Sequence, residues 1–526
     1  MKRRVLALTI SLVMAAMVLV GCGGSKTDKT SDTTSTDSTG NTVTEGAKDN
    51  GSDNGAAGEP YEVVMTFPTL GNTPADLQLV EDAVNAITVP EVNVKVKLYP
   101  ISLFDLSTQS NLMIANNEKL DLLLIFSPIG PISDYVNKGM LLPMDELVNQ
   151  YGQDIIAAEG KAMAGGYVDG ALYAVPSEEK MGRQYGFAFR TDILQKYGYD
   201  FGKDLITYEQ LDEMFAKIKA GEGKDFYMLA LQAGSTGTFG AMNLVDALGA
   251  STATGVLMNG GLDNTTVVNL YETEQYKEHL KWMRKWYQAG YINPDVLTNT
   301  EASTVLIQSG KYLGNLSSTE ADMKFNLSKD CAQDMTMVNI TLPAASTGMY
   351  QTSVWSIPIT CENPEATIKL LNLTYKSQEL INLLKYGVEG AHYEKTDDPG
   401  IIKYPDGINA GTVGYLQPLG VFGDKSKMYQ MQPATSAYFD ELKAFNASIT
   451  EDKSSKALGY SFNTKNVKTE KAAIDSVISQ YTAALEFGAV DPEETLPEFI
   501  NALKAAGIDK VIAENQKMLD EWLAQK

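Results

Sequence analysis

Hydrophobic and polar positions change rhythm twice along the chain. Val5 to Val20 is apolar except for Thr9 and Ser11 and follows Lys2, Arg3 and Arg4, which is the charged-then-apolar order of a signal peptide. The run is too short and too near the start to predict a membrane span. From Gly23 to Glu59 only Val43 and three alanines are apolar, and a segment so polar cannot build a core. A flexible tether of that length reaches roughly 35 Å. At Tyr61 the texture becomes that of a folded body. Tyr61 to Phe67 predicts a strand, Pro74 to Ile87 a helix with Leu77, Val80, Val84 and Ile87 on one stripe, Val92 to Leu98 a strand alternating Val with Lys, and Leu120 to Phe126 a buried strand. This βαβαβ order argues for an α/β protein with a mostly parallel sheet covered by helices.

Later segments read as helices with clear ends. Asn363-Pro364 is an N-cap followed by proline at the first helical position, opening a helix towards Gly387. Glu470 to Phe487 places Ile474, Val477, Ile478, Tyr481 and Leu485 on one face, and Ile508 to Leu523 repeats the pattern, so the C-terminal hundred residues are mainly helical. Trp282 and Trp286 share a stripe with His279 on another helix and read as core rather than ligand platform. The absence of internal repeats excludes arrays and propellers.

Composition narrows the function. A chain of 526 residues suggests about three domains of roughly 150, or two large lobes. With 44% apolar and 21% charged residues it is an ordinary globular protein with ample core. Lys plus Arg is 43 against 66 Asp plus Glu, a net charge of −23 without any basic run, which argues against nucleic acid as a partner. His279 and His392 are far apart, and Cys22, Cys331 and Cys361 show no CxxC spacing, so no metal and no cofactor is expected. Cys331 and Cys361 read as buried thiols, since a large body needs no staple.

Catalytic signatures are missing. Gly234, Gly237 and Gly240 lack the following Lys-Ser/Thr of a phosphate loop and read as a plain loop, and Val305 stands where Ser309-Gly310-Lys311 would need a first glycine. Ser235 has Ala233 in place of the first glycine of a nucleophile elbow. Glu178 and Glu179, imagined as glycosidase carboxylates, are adjacent and point in opposite directions on an extended chain. Trp355 lies in Thr352 to Thr360, a short β-like run, and an aromatic face at a strand end suits a cleft mouth.

Leu19-Val20-Gly21-Cys22 resembles the lipobox of bacterial lipoproteins, which implies cleavage before Cys22 and a diacylglycerol on its thiol. Removing Lys2, Arg3 and Arg4 takes the net charge from −23 to −26. Ala171-Leu-Tyr-Ala-Val-Pro176, Phe189-Arg-Thr-Asp-Ile-Leu194 and Leu205-Ile-Thr-Tyr-Glu-Gln-Leu211 then follow in order. Trp286 to Asp295, Tyr386-Gly-Val-Glu-Gly-Ala-His-Tyr393 and Ala506 to Trp522 come after them. This progression resembles the extracellular solute-binding proteins of family 1, lipoprotein receptors of sugar-importing ABC transporters.

The resemblance implies a two-lobed periplasmic-binding-protein-like fold of type II, each lobe a mostly parallel sheet flanked by helices, with a helical C-terminus. Its expected layout is a signal peptide at 1–21, a tether at 22–59, lobe 1 at 60–174 and 354–400, and lobe 2 at 177–352 and 415–526. An oligosaccharide would sit between the lobes and pass to ABC permease subunits. The protein would be a monomer on the extracytoplasmic face of the membrane, anchored by lipid alone and not an enzyme. The runner-up is a lipid-anchored surface glycoside hydrolase. Sugar-contacting loops of relatives match Leu70, Asn72, Ser127, Glu178, Arg183, Asn315, Trp355 and Tyr429. Two departures are Tyr429-Gln430-Met431, where relatives often have an aromatic after the tyrosine, and Ala391, where lysine is usual.

Overall fold

The computed structural model describes residues 58–526 apart from 235, 236, 251, 321 and 322. The segment expected to be a signal peptide, Cys22 and almost all of the expected tether therefore lie outside the described residues.

Strand Tyr61–Thr69 pairs in parallel with Val94–Ser102 along their whole length. Parallel neighbours need a crossover, and helix Leu77–Val92 supplies it. The Val-Lys alternation is realised as expected: Val94, Val96 and Leu98 are buried while Lys95, Lys97 and Tyr99 face solvent. Leu123–Phe126 joins through a parallel bridge between Met65 and Leu122. Ser353–Ser356 then lies antiparallel to it and to Val175–Pro176. Helices Pro364–Lys376 and Gln378–Tyr386 cover this sheet with Ile368, Leu371, Tyr375 and Leu384. Asn363 caps the first of them, its side chain accepting from the Ala366 N–H at 3.1 Å. The helix expected to run unbroken towards Gly387 instead restarts at Ser377, whose hydroxyl oxygen accepts from the Leu380 N–H at 3.1 Å.

The second lobe is built on a sheet ordered Met335–Asn339, Tyr185–Arg190, Tyr312–Ser318, Tyr227–Leu229. Tyr185–Arg190 is antiparallel to both neighbours, and only Tyr312–Ser318 with Tyr227–Leu229 is parallel, so this sheet is mixed rather than mostly parallel. The cause is topological. The chain enters the lobe along Tyr185–Arg190 and leaves along the adjacent Met335–Asn339, and entry and exit run in opposite directions. Helix Glu274–Gln288 buries Trp286 against Phe215, while Trp282 is half-buried and stacks on Tyr208. Helices Lys468–Glu486, Pro492–Ala506 and Ile508–Leu523 close the lobe around Tyr271, Tyr276 and Leu280. Gly507, at φ 96°, makes the left-handed turn between the last two.

One expected boundary is corrected. The segment from 415 was assigned to lobe 2, yet Tyr415, Val421, Phe422 and Met428 belong to the first lobe's core. Phe422 fills the space beside Phe67 and Trp355, with ring centroids 6.3 and 5.7 Å away, and Gln430–Met431 pairs with Ile401–Lys403. Only beyond this does the chain return to lobe 2, where Ala457, Tyr460 and Phe462 enter its core.

Candidate functional site

The first two crossings between the lobes are hydrogen-bonded to each other. Arg183 N–H donates to Ala344 O at 2.8 Å, and Ala344 N–H returns a bond to Arg183 O at 2.9 Å. Beside this junction is a cavity of about 470 Å³. Its walls are Ser127, Pro128 and Pro131 of the first lobe, Arg183 and Tyr185 of the first crossing, Ala344 to Ser346 and Gln351 of the second, and Leu244 to Ala247 of the second lobe. The carboxyl ends of strands are where open α/β sheets bind ligands, and Ser127 directly follows the strand ending at Phe126. Ser127 is fastened there: its N–H donates to Thr352 O at 3.1 Å and its hydroxyl to Gln351 O at 2.5 Å.

Two buried polar atoms in this wall lack a partner, Asp246 Oδ2 and Gln351 Nε2. Asp246 Oδ1 accepts from Leu248 N–H at 2.9 Å, and burial pushes the carboxyl pKa up against the opposing effect of hydrogen bonds from the Ser455 side chain and Leu248 N–H. One unmatched acceptor and one unmatched donor thus share a single cavity. Neither residue carried a sequence signal, because each sits in a loop or two-residue strand without periodicity.

A second hollow, a groove of about 400 Å³, is lined by Glu179, Lys385, Tyr386, Tyr404, Lys425 and Tyr438, with Phe325 and Lys329 from the second lobe. Leu416 and Pro418 are shared with a further hollow of about 340 Å³ that carries Leu70, Gly71 and Asn72. Glu179 accepts from the Tyr438 hydroxyl at 2.5 Å. Lys385 Nζ donates to Gln417 O at 2.6 Å and Pro418 O at 3.0 Å. Burial pushes its pKa down to about 7, and nearby Lys425 adds to the shift.

The residues matched by resemblance are therefore dispersed. Ser127 and Arg183 share the cavity, and Leu70 and Asn72 share the hollow beyond the groove. Glu178 lines neither and is buried, its N–H donating to Glu159 Oε1 and Oε2 at 3.3 Å, and burial raises its carboxyl pKa. Asn315 is also buried, with Nδ2 donating to Ser303 at 3.2 Å and Oδ1 unpartnered inside the second lobe. Tyr429 is half-buried beside the groove, its N–H donating to Asn382 Oδ1 at 2.7 Å and its ring 6.0 Å from Tyr393.

Trp355 requires a correction. It is 1% exposed, its Nε1–H donates to Val421 O at 2.7 Å, and its ring stacks on Phe422 at an interplanar angle of 20°. Buried and hydrogen-bonded inside the first lobe, the ring offers no platform to a cleft ligand. The 'β-like run' is real, but its tryptophan points into the core.

The glycine-rich loop has a structural role. Gly237 sits at φ 99°, and a Cβ there would lie 2.3 Å from Glu486 Oε2. Glu486, buried at the end of helix Lys468–Glu486, accepts from Thr238 N–H at 2.6 Å and Phe239 N–H at 2.8 Å. The Thr238 hydroxyl lies 2.8 Å from His279 Nε2, and the Tyr208 hydroxyl 2.9 Å from Nδ1. This network leads along the chain into the cavity wall at Leu244.

Comparison with known proteins bears on family and fold. A family profile described as "Bacterial extracellular solute-binding protein" matches residues 83–387, and one described as a domain of unknown function matches 456–524. A carbohydrate ABC transporter substrate-binding protein of Streptococcus pneumoniae serotype 4 is 30% identical over 484 residues, spanning 90% of this chain and 94% of the relative. The crystal structure of the N-glycan transport solute binding protein NgtS from Streptococcus pneumoniae is 28% identical. It superposes with a TM-score of 0.75, over 88% of this chain and 99% of that one. Its complex with Man5GlcNAc matches with a TM-score of 0.66.

Proposed function

We propose, from the premise that this chain belongs to the bacterial extracellular solute-binding proteins, that it is the oligosaccharide receptor of an ABC importer. The observation that carries the reading is the interlobe cavity with its unmatched Asp246 Oδ2 and Gln351 Nε2. A buried polar atom without a partner costs about 1–3 kcal/mol. A sugar removes both costs at once, because one hydroxyl donates to Asp246 while another oxygen accepts from Gln351.

Walls from both lobes make the ligand a closing agent. A ligand shifts an open–closed equilibrium only by its differential affinity, and contacts to Ser127 and Asp246 together exist only when the lobes are close. A dissociation constant of about 1 μM corresponds to about −8 kcal/mol, within reach of a few such bonds and ring contacts. No covalent step is needed. Glu178 and Glu179 are not a facing pair, since Glu178 is buried and Glu179 lines the groove. Delivery takes place on the extracytoplasmic face of the cell membrane, where a lipid on Cys22 and the polar tether hold a monomer beside its permease.

Calorimetry with a panel of oligosaccharides, Man5GlcNAc among them, tests the receptor. A preferred sugar stabilises the native state by about 2.7 kcal/mol at a hundredfold excess over its dissociation constant. Asp246→Asn and Gln351→Ala each weaken it tenfold or more. Turnover of that sugar by the pure protein sinks the reading and favours the hydrolase. Loss of membrane partitioning in Cys22→Ala tests the anchor.

A further inference from the structure

We infer that the groove beside the first crossing receives a carboxylate-bearing sugar, because Lys329, Lys385 and Lys425 converge on it from both lobes. This rests on the receptor reading and adds a second subsite, which shares no wall residue with the interlobe cavity, together with the charge class of the sugar unit it takes.

The convergence runs against the composition. The chain has 66 acidic and 43 basic residues, so a hollow on its surface should on average carry more carboxylates than ammonium groups. This groove has three lysines and one glutamate. The glutamate is already engaged, since Glu179 accepts from Tyr438. Lys385 is held by two backbone carbonyls, which accept hydrogen bonds from its ammonium without neutralising its charge. The Lys425 and Lys329 ammonium groups make no hydrogen bond or ion pair among the described residues, although Lys425 is close enough to the buried carboxyls of Glu178 and Glu159 to oppose the rise that burial causes in their pKa values. Elsewhere the protein uses its lysines differently: Lys427, two residues on, pairs with Asp424 at 3.1 Å, and Lys395 and Lys403 pair with Glu389 and Glu394.

The remaining walls suit a sugar ring. Tyr386, Tyr404 and Phe325 supply aromatic surface, and a pyranose presents apolar faces as well as hydroxyls. Lys425 belongs to the first lobe's segment and Lys329 to helix Met323–Cys331 of the second lobe. A carboxylate between them contacts both lobes, so its charge contributes to closure. The Lys385 ammonium also has reason to welcome an anion. Burial and Lys425 both disfavour its charged form, and a bound carboxylate reverses that.

The test measures matched glycan pairs on the full chain by calorimetry: a sialylated glycan against the same glycan after removal of sialic acid, and trigalacturonate against its carboxyl-reduced form. At least one acidic member is expected to bind tenfold or more tighter than its neutral twin. That preference should shrink at least fivefold in Lys425→Ala and in Lys329→Ala, survive in Lys425→Arg, and weaken with added salt. Neutral twins binding as well as acidic ones, with the lysine variants unchanged, overturns this inference and leaves the receptor reading standing. No binding of any glycan, neutral or acidic, overturns both. Inorganic phosphate binding as tightly as the acidic glycan, with the same dependence on Lys425, makes the groove a general anion site and also refutes the proposal.

Discussion

Replacing Trp355 by alanine should damage the apo protein rather than its affinity. The side chain is 1% exposed in the first lobe's core, so truncation leaves a cavity, and Trp→Ala changes of this kind cost about 3–5 kcal/mol. Two local terms are bound up with that figure. The stacked contact with Phe422 at 5.7 Å is of a type that contributes about 0.5–1.5 kcal/mol, and the Val421 carbonyl that loses Nε1–H at 2.7 Å would be stranded at about 1–3 kcal/mol. Relaxation and water entry into the cavity make the sum smaller than its parts, so about 4–5 kcal/mol is expected. Against a total stability of about 5–15 kcal/mol that is a large fraction. Trp355→Phe keeps a ring against Phe422 and loses only the indole bond and some area, so its loss should be about half. Urea unfolding of the apo variants gives the stability, and calorimetry on the folded fraction gives the affinity. A Trp355→Ala protein as stable as wild type but with glycan affinity lost would refute the core assignment and restore the ring to the cleft.

Three further outcomes are expected. His279 is buried and its pKa is pushed down to about 3 by burial alone, below the ordinary 6.5. Its folded-state pKa is depressed, so the stability it contributes is present above 6.5 and lost as pH falls towards 3, by up to about 5 kcal/mol. His279→Gln should flatten that acid limb in unfolding curves, and an unchanged limb would contradict the burial argument. Glu486→Ala strands the Thr238 and Phe239 N–H groups and should cost about 2–5 kcal/mol in denaturant unfolding, with Glu486→Gln clearly milder. Equal losses would show that no hydrogen bond is at stake. Cys331 and Cys361 are separate buried thiols with pKa values pushed up to about 11, so in a Cys22→Ser protein both should resist thiol reagent when native and react on unfolding. Reagent-resistant cysteines after unfolding would mean they are paired.

The pH behaviour links the C-terminal helices to the cavity. Glu486 is buried with its pKa raised to about 7, so its contribution runs opposite to that of His279: it is fully present below about 4.5 and lost as pH rises through 7. Thr238 joins the two, bonded to Glu486 by its N–H and lying 2.8 Å from His279. The chain then runs to Leu244 and Asp246 in the cavity wall. The helical segment after 456 therefore braces a loop that lines the interlobe cavity as well as closing a core.

Local periodicity by itself determined the elements whose faces are defined by near neighbours. The Val-Lys alternation of Val94 to Leu98 can be satisfied only with one face buried, the Asn363-Pro364 cap satisfies helix N–H groups a few residues away, and Ile508 to Leu523 has a stripe that matches its helix from end to end. The polar composition of Gly23 to Glu59 likewise predicts a tether, and Leu19 to Cys22 an address, from residues alone. Tertiary structure decided whatever depended on distant partners. Trp355 sits on a strand with neighbours on both faces, and only the arrival of Phe422 made its side the inside. Residues 415–428 carry no periodicity that assigns them to a lobe, and the space beside Phe67 did so. Asp246 and Gln351, and Lys329, Lys385 and Lys425, are dispersed along the chain and come together only because crossings and loops bring them to one cavity and one groove. Burial periodicity is a property of a segment, whereas convergence is a property of how the segments pack.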